Sequence, residues 1–366
     1  MADLTNDFVT QIREAVASRQ TLCIEGGGSK RWYGNPSVAA QSLVTSGHHG
    51  IVDYDPAELV LTARTGSKLS DIEFELAERG QMLAFEPPRY APESTLGGAI
   101  ATALSGPGRP FIGGVRDFVL GMHVINGKGE VLKFGGQVMK NVAGYDVSRL
   151  MTGSLGVLGL ISQVSLKVLP VAPATATLQY EMSASDAIRQ GNEWSARPLP
   201  LSATAWEDGV LRVRLSGARA AVESAIIHMG GACLGSEEAN AYWQRLRDQT
   251  HPFFCDTAAI AAGKTLWRLS LPAVAPEVAE DQIRGASHQL LEWGGAQRWL
   301  WSDDAADNIR LRAQSLGGHA VRFNNQHGSG DTFSPLSPAL MAIHRRLKQT
   351  FDPHAVFNPG RLVQGL

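Results

Sequence analysis

The sequence has 366 residues, of which 44% are hydrophobic and 39 are glycine, and its formal charge is −2. That apolar content is too high for a disordered chain. The glycines follow no collagen period, and the near-neutral charge leaves no electrostatic footprint for nucleic acid. The length predicts about two or three domains. No run approaches the ~18 apolar residues of a membrane span.

Phe8, Ile12 and Val16 recur at four-residue spacing and predict a short amphipathic helix over 7–19. Residues 21–25 read as a strand, broken by Gly26-Gly27-Gly28, and 58–63 as another. Leu69, Ile72, Leu76 and Ala77 line one face of a helix that starts near Ser67 and stops at Gly80. Two strands around Asn126-Gly127-Lys128-Gly129 predict a hairpin over 122–134. Val164, Leu166 and Val168 alternate with polar residues and predict a half-buried strand ending at Pro170.

Composition shifts at a Pro-rich connector, 170–174. Beyond it strands at 210–215, 266–271, 297–301 and 319–323 alternate with helices at 218–229, 276–293 and 307–315. This pattern predicts a second domain with helices on one face of its strands. Seven of the eight tryptophans lie there, and such large aromatics predict core positions. Ser337-Pro338 caps a last helix that carries Leu340, Ile343 and Leu347 and stops at Asp352-Pro353. The predicted fold class is α+β, with domains at 1–171, 172–330 and 331–366. The N-terminal segment is acidic and polar, unlike a secretory signal. Cys23, Cys233 and Cys255 form no CxxC. Both features predict a reduced, cytoplasmic protein.

The glycines are unevenly placed: twenty-three lie in 1–171, fifteen of them between Gly97 and Gly159. The first cluster is Gly26-Gly27-Gly28-Ser29-Lys30. Consecutive glycines can turn successive N–H groups into one concavity, and Ser29 and Lys30 add a donor and a charge, so the loop suits a phosphate or pyrophosphate. It matches neither the Rossmann fingerprint nor a P-loop, and a plain turn is the alternative. The second cluster is Ser94-Thr95-Leu96-Gly97-Gly98-Ala99-Ile100-Ala101. Such small residues allow a backbone to lie against a planar group or a diphosphate, or simply allow close helix packing. The third is Gly153-Ser154-Leu155-Gly156-Val157-Leu158-Gly159. In a helix each glycine would cost about 1 kcal/mol, so a turn into a strand from Leu160 is predicted.

In this order, with the hairpin between the second and third, these segments resemble the flavin-binding domain of the vanillyl-alcohol oxidase and p-cresol methylhydroxylase (PCMH) superfamily. The run Gly114-Val115-Arg116-Asp117-Phe118-Val119 is similar too, as is Phe351-Asp352-Pro353 through Asn358-Pro359-Gly360-Arg361. Within that superfamily, the segments 81–88, 105–110, 135–151 and 293–296 resemble the FAD-binding subunits of bacterial glycolate oxidases.

The resemblance implies a two-subdomain PCMH-type FAD-binding domain followed by an α+β, ferredoxin-like cap. The C-terminal segment would return to the flavin domain. It implies an FAD site built from Gly26, Gly27, Gly28, Ser29 and Lys30, then Pro88. Thr95, Leu96, Gly97, Gly98 and Ala101 continue it, with Ser105, Gly106, Asp117 and Val119. Gly153, Ser154, Gly156, Gly159, Ile161 and Asn358 complete it. The first loop holds no His, which implies non-covalent FAD.

The implied activity is oxidation of glycolate to glyoxylate with hydride transfer to flavin. A second flavin subunit and an iron–sulfur subunit would be partners, through which the assembly would lie at the inner face of the cell membrane. The alternatives are a stand-alone D-lactate-type dehydrogenase and a non-catalytic assembly or electron-transfer subunit. Ala103-Leu104-Ser105-Gly106 stands where many catalytic relatives carry Asn-Ala-Gly-Gly. Arg322 and Arg361 are candidate clamps for a substrate carboxylate, with ordinary salt bridges as the plainer reading of each. Tyr145 is a candidate neighbour of the flavin. No base is assigned, and His319 with His327 does not make a metal set. The pair His48-His49 reads as loop.

Overall fold

The computed structural model describes residues 2–136, 146–286, 288–323 and 331–366. The chain divides into two compact units. One combines Met1–Leu104, Gly113–Val171 and Pro335–Leu366; the other combines Ser105–Ile112 and Ala172–Ser334. Tyr145 and His327 lie outside the described residues.

The first unit holds two layers of strands. The strands β1 (Leu22–Glu25) and β2 (Gln41–Val44) pair in parallel. The strands β3 (Ile51–Asp55), β4 (Val60–Arg64), β6 (Val119–Ile125), β7 (Val131–Gly135) and β8 (Leu160–Lys167) form an antiparallel sheet in the order β3-β4-β8-β6-β7. The short strands β5 (Gln81–Met82) and β9 (Leu169–Pro170) pair with each other. The helix Thr5–Ser18 buries Phe8 and Ile12 against Leu22, Leu43, Ile125, Leu160 and Phe357, so its apolar stripe joins both layers. The hairpin β6-β7 and the strand after Gly159 fall where the alternation of the sequence puts them.

Two polar clusters lock this unit. The first follows the helix Pro338–Phe351, which starts at the predicted Ser337 cap. Lys348 Nζ donates to Val157 O, Phe357 O and Asp352 Oδ2, each at 2.8 Å. The Asp352 carboxylate also accepts the N–H groups of Val356 at 3.0 Å and Phe357 at 2.8 Å. Both side chains are buried, Asp352 at 1% exposure.

The second cluster centres on His48, 2% exposed and therefore more than a loop residue. Its Nδ1 accepts the N–H of Leu4 at 2.9 Å, which leaves Nε2 to donate to Ser162 O at 3.0 Å. Phe8 packs edge-on against the ring. This pattern needs the neutral imidazole, and burial pushes its pKa down.

The second unit carries an eight-stranded antiparallel sheet. Its strands are β10 (Ala174–Glu181), β11 (Leu201–Glu207), β12 (Val210–Gly217), β13 (Ala232–Cys233), β14 (Thr265–Ser270), β15 (Gln289–Glu292), β16 (Gln297–Ser302) and β17 (His319–Phe323). The order is β13-β10-β12-β11-β15-β16-β14-β17. Each half places its four strands in the βαββαβ, ferredoxin-like order, and the second half reads as the first reversed. Within the sheet, the two halves pair at β11 and β15 over Ala205↔Glu292, Trp206↔Leu291 and Glu207↔Leu290 among the described residues.

The helices Ala184–Ser195 and Arg219–Met229 serve the first repeat, and Ala306–Ser315 serves the second. Trp194, Trp243, Trp267, Trp299 and Trp301 are buried, as large aromatics at such positions predict.

The helix predicted over 276–293 does not form. That stretch is a loop with a 3-10 turn at Glu280–Gln282, followed by β15. Arg298, fully buried on β16, donates to Ala275 O and Pro276 O at 2.6 and 2.5 Å, carbonyls a helix would claim. Gly285 takes φ +73°. Val278, Ile283 and Ala286 still bury their side chains in the core, so the apolar spacing served a covering loop.

Replacing Lys348 with Met strands the Asp352 carboxylate in the interior and is expected to cost about 3–5 kcal/mol. The fall in the urea midpoint checks this. For His48, the unfolded chain gains its proton near 6.5 while the native state resists it. The stabilisation measured between wild type and His48→Ala is therefore complete above that pH. It shrinks as the pH falls below it, and thermal melts across pH 5–8 read this out.

Candidate functional site

The first unit contains a cavity of about 350 Å³ whose walls come from the three glycine clusters and the C-terminal loop. The floor starts where β1 ends. Its partner β2 stops at Val44, and Thr45 returns a hydrogen bond to Glu25 O, so the chain at Gly26 leaves the layer. Gly27 must lack a Cβ, because a methyl there would overlap the carbonyl of Glu93. Among the described residues, the N–H groups of Gly27, Gly28 and Ser29 donate to no protein acceptor. A row of free amides facing a cavity is an anion nest.

Lys30 deepens this. It is 8% exposed, lies against Gly98, and its Nζ meets only Ser29 Oγ at 3.5 Å and, at 5.7 Å, the face of Tyr90. Among the described residues no carboxylate pairs with it, and burial pushes the ammonium down to about 8. The buried cation and the free amides together call for an anion.

The second wall is the helix Leu96–Thr102. Thr95 caps it, accepting Gly98 N–H at 3.2 Å, and Gly97 N–H is held by Thr65 O at 2.7 Å. The third wall is the turn before β8. Gly153 N–H and Leu155 N–H donate to Ile100 O and Ala101 O, which ties the turn to the helix. Gly156 has φ +73° and stands where a Cβ would press on the Asn358 amide. Asn358 bridges opposite walls: its Oδ1 accepts Ile24 N–H at 2.7 Å and its Nδ2 donates to Leu155 O at 2.6 Å.

Of the residues singled out from the sequence, the cavity brings together Gly26, Gly27, Gly28, Ser29, Lys30, Thr95, Gly97, Gly98, Ala101, Gly156, Gly159, Ile161 and Asn358. The others stand elsewhere. Leu96 is fully buried under its helix, and Val119 is buried at the start of β6. Pro88 is buried, and Asp117 is exposed and accepts Gly114 N–H. Gly153 and Ser154 build the turn, with Ser154 Oγ buried and unpartnered. Ser105 and Gly106 belong to the segment that packs with the second unit, where Gly106 O accepts Trp293 Nε1–H at 3.2 Å.

The cavity also includes Cys23, Tyr33, Thr45, Thr65 and Arg361, which the glycine pattern did not flag as lining. Arg361 is spent on main-chain carbonyls, Asn35 at 3.0 Å and Arg31 at 2.8 Å, so it braces the loop and is not a free clamp. Arg322 stacks 5.5 Å over Trp267 in the second unit.

A cavity lined by main-chain amides, small residues and one buried cation is a site for an extended dinucleotide. The comparisons give that dinucleotide its identity. Residues 2–135 match the family described as FAD binding domain. Glycolate oxidase subunit GlcE of Escherichia coli K12 is 45% identical over 364 residues, covering 100% of this chain and 99% of that one. D-lactate dehydrogenase of Anaerostipes hadrus is 34% identical over 35% of this chain and 26% of its own. Glycolate oxidase subunit GlcD of Bacillus subtilis is 28% identical over 49% of this chain and 38% of its own. An alkyldihydroxyacetonephosphate synthase structure superposes with a TM-score of 0.68 at 16% identity, over 97% of this chain and 74% of that one, and shares the fold. The chain belongs to the GlcE family of FAD-binding flavoproteins.

The free amides and Lys30 fit an FAD diphosphate. An anion beside Lys30 raises its pKa, so above pH 8 binding must take up a proton. FAD affinity is expected to hold below pH 8 and to fall above it by up to about tenfold per unit. Lys30→Met is expected to weaken binding by about 1–3 kcal/mol and to flatten the profile. Calorimetry in buffers of different ionisation enthalpy counts the proton.

Proposed function

We propose that this chain is the FAD-holding GlcE-type subunit of a glycolate-oxidising assembly. In this reading it works beside a second flavin subunit and an iron–sulfur subunit, and any membrane association comes through those partners. Its FAD is held without a covalent bond. The observation that carries the reading is 45% identity along the whole chain to a glycolate oxidase subunit, joined to an anion cradle built from the same chain. Among the described residues no helix is long and apolar enough to cross a membrane.

Bound FAD supplies a two-electron acceptor for the hydride that leaves the α-carbon of a 2-hydroxy acid as it becomes the 2-oxo acid. The protein's part is holding. Gly27, Gly28 and Ser29 present amides, Lys30 supplies the counter-charge, and Thr95 fixes the start of the helix that carries Gly97 and Gly98. Arg361 keeps the loop in shape through its carbonyls.

One observation favours a narrower role for this subunit within the assembly. Arg361 is committed to the loop, and Arg322 to the Trp267 face. The carboxylate clamp that a 2-hydroxy acid needs would then come from a partner subunit, with this chain serving assembly or electron transfer.

The test is co-expression with the partner subunits, followed by measurement of flavin content and of dye reduction driven by glycolate. The expected result is one FAD per chain, released on denaturation, with turnover only in the full assembly. Gly27→Ala is expected to lose the flavin. A purified chain that holds no FAD after reconstitution would overturn the reading, as would full turnover by the chain alone.

A further inference from the structure

In the second unit, at the seam between the two four-stranded halves of the sheet, four side chains with titratable groups converge. Glu207 ends β11, and Asp208 opens the two-residue hairpin that follows, with φ +48°. His288 directly precedes β15, whose Leu290 pairs with Glu207. His251 comes from the segment after the helix Ser236–Asp248. His288 Nε2 lies 3.4 Å from Glu207 Oε1 and 3.4 Å from Asp208 Oδ1. His251 Nε2 lies 3.5 Å from Glu207 Oε2.

These spacings are informative. They are longer than the ~2.7–2.9 Å of a charge-assisted hydrogen bond, and His288 Nε2 faces an oxygen of each carboxylate at the same 3.4 Å. Ligand atoms about 2.0–2.1 Å from a tetrahedral zinc ion stand about 3.4 Å from one another. The Glu207, Asp208 and His288 ligand atoms all lie within 4.8 Å of one another, close enough to share one ion.

We propose that Glu207, Asp208 and His288 bind one divalent transition-metal ion, zinc by the chemistry of its ligands, with a fourth position open to water. Two carboxylates and a neutral imidazole balance the charge of the ion. His251 completes the arrangement as a positioning residue. Its Nδ1 faces the N–H of Phe253 at 3.4 Å, so its Nε2–H is directed at the second oxygen of Glu207. That is the outer hydrogen bond that orients a ligating carboxylate.

The surroundings support the site. Phe253 packs 4.9 Å from the His288 ring and limits its rotation. The Asp256 carboxylate is occupied as a helix cap, accepting Ala258 and Ala259 N–H, and does not compete. The nearby cation Arg212 is drawn onto the face of Tyr242 at 4.6 Å. The seam holds three paired positions among the described residues, so an ion bridging the end of β11 to the start of β15 would clip the two halves together. This inference is independent of the flavin site.

The test uses tag-free, full-length protein with its flavin, stripped with a chelator and then titrated with Zn²⁺ at pH 7.5. The expected result is uptake of about one equivalent, a rise in Tm, and tetrahedral visible bands when Co²⁺ replaces Zn²⁺. His288→Gln is expected to weaken binding at least tenfold. Asp208→Asn, at an exposed hairpin tip that tolerates Asn, is expected to weaken it while flavin content stays unchanged. Absence of stoichiometric Zn²⁺ uptake by the wild type would overturn the proposal. So would equal uptake by both variants, which would place the ion elsewhere.

Discussion

The flavin unit depends on one buried ion pair. Lys348 and Asp352 sit one helical turn apart and are both withdrawn from water, yet they satisfy each other and four main-chain groups at 2.8–3.0 Å. Such a pair gains little over an apolar isostere, because desolvation offsets most of its attraction. Its effect is positional. Lys348 binds Val157 O in the turn before β8 and Phe357 O in the C-terminal loop, so it sets the distance between them. Asn358, one residue on, then reaches both β1 and that turn. The last helix therefore acts on the cofactor cavity without lining it.

The cavity itself is almost all main chain. That fits the glycine excess: free amides suit an anionic ligand, and side chains would only block its approach. The exception is Lys30, a charge the fold buries with no carboxylate beside it among the described residues. Burying it costs stability in the empty protein, and a bound anion offsets that cost. Local strain of this kind concentrates at binding sites.

Much of this was legible in the sequence, for reasons that differ by element. The turn Asn126-Gly127-Lys128-Gly129 read the hairpin of β6 and β7, and four-residue spacing read the first helix, because Phe8 and Ile12 bury one face of it. The three glycine segments could be assigned to one site through the family resemblance that their order carries. The helix expected over 276–293 failed because its apolar residues cover the sheet from a loop, whose carbonyls Arg298 binds. Arg361 looked like a substrate clamp because a lone arginine near a motif carries no sign of the carbonyls it will meet. Ser105 and Gly106 followed the flavin segments in the chain but are drawn to the second unit by Phe111 and Trp293. Thr65 and Thr45 lacked any signal, since a threonine gives no local hint of a long-range contact. The cluster at Glu207 and His288 was invisible for the same reason: its members are eighty residues apart in sequence.

The path of the chain has a consequence for how such a protein can change. The backbone passes between the two units four times, at Leu104, Ile112, Val171 and Ser334. Neither unit is therefore a contiguous stretch of the gene. An exchange that swaps the second unit for another must carry Ser105–Ile112 along with Ala172–Ser334 and leave Pro335–Leu366 in place. Recombination at a single breakpoint divides one unit or the other. Diversification of this architecture must proceed mainly by substitution within the two units together, and full-length relatedness is the form in which its ancestry is recorded.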